Sequence, residues 1–206
     1  FFYTMRKLII AFLLFCNSTF ASFDMNDNIQ KSYFHIINLE FARANDLLDR
    51  EELQNPENGF ILLHRNYIDF LTILITEDIN YFQLNKHFKN ERLSILDEND
   101  ETSPYYLYSQ AEIMLQWAFS RLKFGEYIVA ANEIIRAYKL LQENQDRFPD
   151  FTLNKKGLGI IHTFLGAVPK ELSWIVNLAG FKGGVIFGLS ELDSLLNDQR
   201  FEIYEY

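Results

Sequence analysis

Apolar residues recur along most of this chain at the three- to four-residue spacing of an amphipathic helix. No segment of useful length shows the two-residue alternation of a β-strand. The spacing predicts helices over 27–38, 41–54, 59–76, 78–96, 104–123 and 126–146, with further helices between 155 and 196. We therefore expect an all-α protein of about eight or nine helices.

The clearest helix pair lies between Ala111 and Leu141. Gly125 interrupts the helical spacing there and permits a tight turn. Small residues stand where two antiparallel helices would cross, and they let the helix axes approach closely. These residues are Ala118, Ala130 and Ala137. The stretch predicts two helices folded back on each other.

This pair resembles a tetratricopeptide repeat, a helix–turn–helix unit of about 34 residues. The resemblance comprises a large residue followed by a small one, a glycine turn, an aromatic residue that opens the second helix, and small residues at the crossing. The matching positions are Trp117, Ala118, Gly125, Tyr127, Ala130 and Ala137. A weaker copy lies upstream, where Phe41 and Ala44 repeat the spacing of Tyr127 and Ala130. The resemblance implies a right-handed superhelix of antiparallel helix hairpins.

The C-terminal third is rich in glycine and apolar residues. It resembles a segment of the eukaryotic inclusion-body-clearance family of tetratricopeptide proteins, again a likeness that implies fold alone. The matching positions are Gly157, Gly159, Pro169, Gly180, Phe181, Gly188 and Leu189.

The N-terminal residues have the layout of a secretory signal peptide that starts at Met5. Two basic residues precede an apolar run over 8–15, and polar residues lead to a predicted cleavage site after Ala21. The alternative interpretation, an outer-membrane lipoprotein anchored through Cys16, is less favoured because a phenylalanine precedes that cysteine. We therefore expect a periplasmic or secreted protein.

The chain then divides into residues 1–21, which hold upstream residues and the signal, and one tetratricopeptide-like domain over 22–206. The end of the sequence looks like the start of another helix, so we expect the domain to be truncated at its C-terminus. In these features the chain resembles secreted repeat proteins of Bacteroidetes.

The net negative charge of the chain limits the classes of partner that we expect it to bind. The chain has a formal net charge of −9 at pH 7, which disfavours binding to nucleic acid or to an anionic membrane surface. Cys16 is the single cysteine, so the mature chain would have no disulfide. We expect no stable transmembrane segment in the mature chain, since the apolar run over 8–15 is short.

The sequence contains no recognisable catalytic motif. Four histidines fall on different predicted helices without partners at metal-ligand spacing: His35, His64, His87 and His162. Glu112 and Glu133 are candidates for an acid and a base, but their spacing favours exposed positions on amphipathic helices. We predict a protein that is not an enzyme, with no catalytic residues, metal site or cofactor.

The first helices of stacked hairpins form a concave surface, here the predicted helices 59–76 and 104–123. Polar residues embedded in these helices are candidates for binding or for the solvent-facing side: Arg65, Asn66, Asp69, Gln110, Gln116 and Arg121. The sequence thus predicts an exported scaffold that binds an unidentified protein. The alternatives are a glycan- or peptide-binding repeat protein and a non-catalytic part of a longer enzyme.

Overall fold

A computed structural model describes residues 23–167 and 184–197. The helices in these residues are α1 Asp27–Ile37, α2 Phe41–Gln54, α3 Gly59–Thr76, α4 Ile79–Asn85, α5 Phe88–Leu96, α6 Pro104–Lys123, α7 Tyr127–Arg147, α8 Asn154–Ala167 and α9 Val185–Leu196. No β-strand occurs in this part of the chain, so the expected all-α class is confirmed. The signal sequence, Cys16, Pro169 and Gly180 lie outside the described residues.

Short polar side chains begin several of these helices. Asn58 accepts a hydrogen bond from the backbone N–H of Phe60 at the start of α3, and Asp78 does the same for Asn80 at the start of α4. Ser103 caps α6, whose first residue is Pro104. These residues satisfy amide groups that have no partner within their own helix.

The expected single helix over 78–96 is wrong, because the chain forms α4 and α5 with a turn at Lys86 and His87. The turn serves two different packing requirements. Phe82 of α4 stacks on Phe124 at a ring-centroid distance of 4.8 Å, whereas Arg92 of α5 reaches a buried carboxylate on α3. The apolar residues of the segment do not by themselves reveal this break.

Sequential helices pack in pairs. The most extensive contacts join α6 to α7, α8 to α9 and α1 to α2, while α3 contacts both α4 and α5. The first helices of these groups, α1, α3, α6 and α8, also contact one another in succession. Among the described residues, no helix is both long and apolar enough to cross a membrane.

Helix α6 lies at the centre, in contact with α3, α5, α7 and α8. The small residues of the predicted crossings are fully buried: Ala44, Ala118, Ala130 and Ala137. Trp117 is buried as well, and Gly125 has a φ of 78° in the turn between α6 and α7. Tyr127 opens α7 as expected, but its side chain is 43% exposed. Phe124 provides the packed aromatic ring at this end of the pair.

We predict that Ala130→Leu lowers the free energy of unfolding by about 1–3 kcal/mol, because a fully buried crossing position has no room for three more carbons. Chemical denaturation of the whole chain measures the loss. Ala42→Leu, at an exposed position of α2, is the matched control and changes stability by less than about 0.5 kcal/mol. Equal effects of the two variants would contradict the close crossing.

Candidate functional site

Asn66 lies at the centre of a buried polar cluster between α3, α5 and α6. Its Oδ1 accepts hydrogen bonds from Trp117 Nε1 and Arg92 Nη1, both at 2.8 Å. Its Nδ2 donates to Gln116 Oε1 at 2.6 Å. Each contact joins α3 to another helix, and Asn66 is 1% exposed. Because an unpaired polar group in such a place is costly, these bonds fix the register of the three helices.

Asp69 extends this cluster to α4. The carboxylate accepts a hydrogen bond from Arg92 Nη2 at 2.6 Å and another from the Tyr81 hydroxyl at 2.7 Å. Burial and the hydrogen bond to Asp69 both raise the pKa of Tyr81 well above its ordinary value. Tyr81 therefore remains a protonated donor, and the cluster pairs one buried carboxylate with one guanidinium and one phenol.

A second cluster joins α5, α6 and α7 around Glu133. Arg121 Nε lies 3.1 Å from each oxygen of this carboxylate, and Lys89 Nζ lies 2.5 Å from Oε1. Arg121 also forms an ion pair with Glu126, to which Lys86 contributes at 3.4 Å. The buried cations Lys89 and Arg121 thus neutralise Glu133 and link α7 to α5 and α6.

A third group, here called the inner cluster, consists of Tyr67, Glu112 and Lys156 on α3, α6 and α8. The Tyr67 hydroxyl donates to Glu112 Oε2 at 2.5 Å, and Lys156 Nζ lies 2.7 Å from the same oxygen. Lys156 also donates to the Tyr67 hydroxyl and sits 4.9 Å from the centre of the Tyr67 ring. The carboxylate is therefore held by one cation and one phenol.

Electrostatics keeps the inner cluster charged. Burial alone would lower the pKa of Lys156, but the adjacent Glu112 carboxylate outweighs it and raises that pKa above its ordinary value. His64 lies nearby on α3, with Nδ1 2.7 Å from Ser32 Oγ on α1. Burial, with a smaller effect of the Lys156 charge, lowers the pKa of His64 to about 3. His64 is therefore neutral in the folded protein at neutral pH.

The structure brings several of the predicted binding residues together, but inside the helix bundle. Asn66, Asp69, Gln116 and Arg121 belong to the two clusters around Asn66 and Glu133, and Gln110 is 6% exposed. Arg65 remains at the surface. Its guanidinium lies 3.0 Å from Asp49 and 2.8 Å from Glu52 on α2. A direct role of these six residues in binding a ligand stays a prediction, and their observed partners are other side chains of the chain.

The interpretation of Glu112 and Glu133 as exposed positions is wrong. Each is 4% exposed, and each is paired with a different cation on a neighbouring helix. The reason is that residues 106–118 of α6 are all buried, so a polar residue in this part of the helix does not mark a solvent-facing side. Glu133 lies on the side of α7 that faces α6 and bonds Arg121 there.

Sequence reasoning also missed the partners of these carboxylates. No motif in the sequence singles out Lys89 as a partner of Glu133, or Lys156 and Tyr67 as partners of Glu112. A usable signal was present in the length and composition of the segment 104–123, which mixes glutamate, glutamine and arginine with large apolar residues and has no clear polar stripe. Such a helix needs charged partners from its neighbours.

Comparisons of the chain with protein-family models, with curated proteins and with solved structures find no match. Within residues 23–167 and 184–197, no three histidine, aspartate or glutamate side chains are grouped closely enough to hold a metal ion. His162 is buried, and its Nδ1 lies 2.6 Å from Glu191 of α9. The candidate functional residues of this chain therefore lie in the interfaces between its helices and on the surface beside them.

We predict that Lys156→Met lowers the free energy of unfolding by about 2 kcal/mol, because it leaves the Glu112 carboxylate buried without a cation. Glu112→Gln costs less, since 27% of the Lys156 side chain is exposed and its charge keeps some contact with water. The double variant recovers most of the loss. Denaturant titration of the three variants measures the coupling, and additive losses would show that the pair does not act as a unit.

We predict that acid weakens the fold through His64. In the unfolded chain this imidazole titrates near pH 6.5, whereas in the fold its pKa is about 3. Between these values the unfolded state binds a proton that the folded state does not, so stability falls as the pH decreases. Lowering the pH from about 7 to about 5 costs roughly 1–2 kcal/mol from this group.

Comparison with His64→Gln isolates the effect, because the carboxylates contribute equally to both proteins. Denaturation midpoints at the two pH values are compared, and the variant shows the smaller decrease. A decrease of the same size in both proteins would contradict the neutral, buried state of His64.

Proposed function

We propose that this chain is an exported, tetratricopeptide-like scaffold that binds a protein partner in the bacterial cell envelope. The proposal includes a superhelical stacking of helix hairpins. It is supported by the packing of sequential helices in pairs and by the contacts of α1, α3, α6 and α8 in succession. The signal-like residues 5–21 support export.

The observation that carries the proposal is the row of contacts across these four helices. Tyr33 of α1 meets Tyr67 of α3 edge to face at 6.1 Å, Tyr67 bonds Glu112 of α6, and Glu112 bonds Lys156 of α8. A chain of contacts that crosses four helices aligns one side of each of them. Tyr33 and Glu112 in this row are buried, so the surface here called the inner face consists of the half-buried side chains that border the row.

Residues at helical spacing from this row extend the inner face. Leu71 follows Tyr67 by four residues, Phe119 follows Glu112 by seven, and Ile160 follows Lys156 by four. All three side chains are half-buried. Phe119 also contacts Phe164 of α8 edge to face at 5.6 Å. Half-buried apolar groups on a rigid support are the kind of surface that a protein partner covers on binding.

The same geometry favours a protein over a glycan. A glycan groove would offer exposed tryptophan or tyrosine rings beside polar groups. Along the row, Tyr33 is buried, and the hydroxyl of half-buried Tyr67 is already bonded to Glu112 and Lys156. Trp117 is 2% exposed and donates to Asn66. The half-buried residues Leu71, Phe119 and Ile160 are apolar instead.

We predict that a photo-crosslinking residue on the inner face captures a partner. p-Benzoylphenylalanine replaces Leu71 or Phe119 in the whole chain, and Leu53 serves as the control because it is 87% exposed on α2. Irradiation in an envelope extract of the source cells should give the same crosslinked protein from positions 71 and 119 but not from 53. Mass spectrometry of the crosslinked band identifies it.

Circular dichroism of each variant checks that the helices are intact. With folded variants, capture from position 53 alone, or capture from none of the three positions, would argue against the inner face as the binding surface. The proposal of export is tested separately by the N-terminal residue of the secreted chain, expected to be Ser22.

A further inference from the structure

A pocket of about 410 Å³ lies away from the inner face, where α2 ends, α3 begins and α5 ends. Its apolar lining comes from Pro56, Ile61, Leu62 and Ile95. Ile95 is 53% exposed, so its side chain lies open to solvent at the edge of the pocket. The pocket therefore offers an apolar floor that is open to solvent.

Carboxylates surround this floor. Glu52, Glu57 and Glu98 line the pocket, and each is exposed. Glu52 pairs with Arg65, whereas Glu57 and Glu98 have no ion-pair partner among the described residues. Asn99 also lines the pocket and is 5% exposed, yet its Oδ1 accepts no hydrogen bond in the described structure. The side-chain groups here without partners within the described chain are thus acceptors: the carboxylates of Glu57 and Glu98, exposed at the pocket, and the Asn99 oxygen, which is buried.

The backbone also makes the electrostatic potential at the pocket more negative. Helices α2 and α5 both end at this pocket, and the carbonyl groups at helix C-termini favour cations. Helix α3 begins here, but Asn58 already occupies its first amide groups. The N–H of Phe60 bonds Asn58 Oδ1 at 3.2 Å, and the N–H of Ile61 bonds the Asn58 carbonyl at 3.0 Å. An anion would therefore find few donors.

We propose that this pocket binds a lysine or arginine side chain of a basic polypeptide. The aliphatic part of such a side chain covers the apolar floor, while its charged end meets the carboxylates. The acidic balance of the chain attracts such a partner at long range. This inference deepens the proposed function, on which it rests, by naming the chemistry of the partner.

Arg65 gives the inference a distinctive consequence. Its guanidinium already neutralises Glu52 at the edge of the pocket, at 2.8 Å. The incoming cation therefore competes with a cation of the chain itself. Removing Arg65 frees a third carboxylate for the ligand, so Arg65→Gln should strengthen binding, whereas loss of Glu57 and Glu98 should weaken it.

The test uses the whole chain labelled with ¹⁵N and a short, capped peptide in which leucine and arginine alternate. A second peptide carries citrulline in place of arginine, which keeps the shape and removes the charge. We expect amide shifts concentrated at residues 57–62 and 95–99 with the arginine peptide, and much smaller shifts with the citrulline peptide. Binding weakens as the salt concentration rises.

The double variant Glu57→Gln/Glu98→Gln should lower the affinity for the arginine peptide by roughly five- to tenfold. Asp46→Asn/Asp146→Asn removes the same charge from exposed positions outside the pocket and should leave the affinity nearly unchanged. Arg65→Gln should increase the affinity. Equal losses in the two double variants, shifts spread over the whole surface, or equal binding of the citrulline peptide would overturn the inference.

The peptide and photo-crosslinking experiments distinguish a failure of the pocket proposal from a failure of the proposed scaffold function. If photo-crosslinking from positions 71 and 119 captures a partner and the peptide does not bind the pocket, the inner face stands and the pocket inference fails. If the peptide binds the pocket and no partner is captured, the pocket stands and the proposed scaffold function fails.

Discussion

The structure depends on the burial of α6, a helix whose residues 106–118 are all buried and yet include charged and polar side chains. Burial of this kind removes water from Glu112, Gln116 and Arg121, so each of them needs a partner from another helix. The partners come from α3, α7 and α8. The need to satisfy one central helix therefore dictates the positions of three others.

Apolar contact alone would allow these helices to slide or rotate against one another with little penalty. Directional bonds remove that freedom, since Asn66 reaches Trp117, Gln116 and Arg92 only at one register. The buried alanines of α6 and α7 permit the close approach of these two helices, which Arg121 and Glu133 bridge at 3.1 Å. Close packing and polar satisfaction thus specify the same arrangement, and this agreement is typical of a sequence that encodes a single fold.

Local signals determined what the sequence could reveal. Helical spacing and Gly125 predicted the α6–α7 pair to within about a residue, and small residues marked the true crossing at Ala118, Ala130 and Ala137. The break between α4 and α5 and the partners of Glu112 and Glu133 were missed because both depend on residues far away in sequence. Glu112 and Lys156, for example, are 44 residues apart. Amphipathic spacing shows which residues avoid water when one side of a helix is exposed, and it loses that meaning for a helix enclosed by four neighbours.

The two surfaces proposed for binding differ in whether their charged groups are paired. Beside the inner face, the charges of Glu112 and Lys156 cancel each other, and the Tyr67 hydroxyl donates a further hydrogen bond to the carboxylate, so little charge is left to recognise a ligand. The half-buried apolar residues beside them therefore contribute area rather than charge selectivity. In the pocket at the ends of α2 and α5, the carboxylates of Glu57 and Glu98 remain without cations in the described residues. A partner that covered both surfaces would gain affinity mainly from the first and charge discrimination mainly from the second, because unpaired charges select a ligand by its sign.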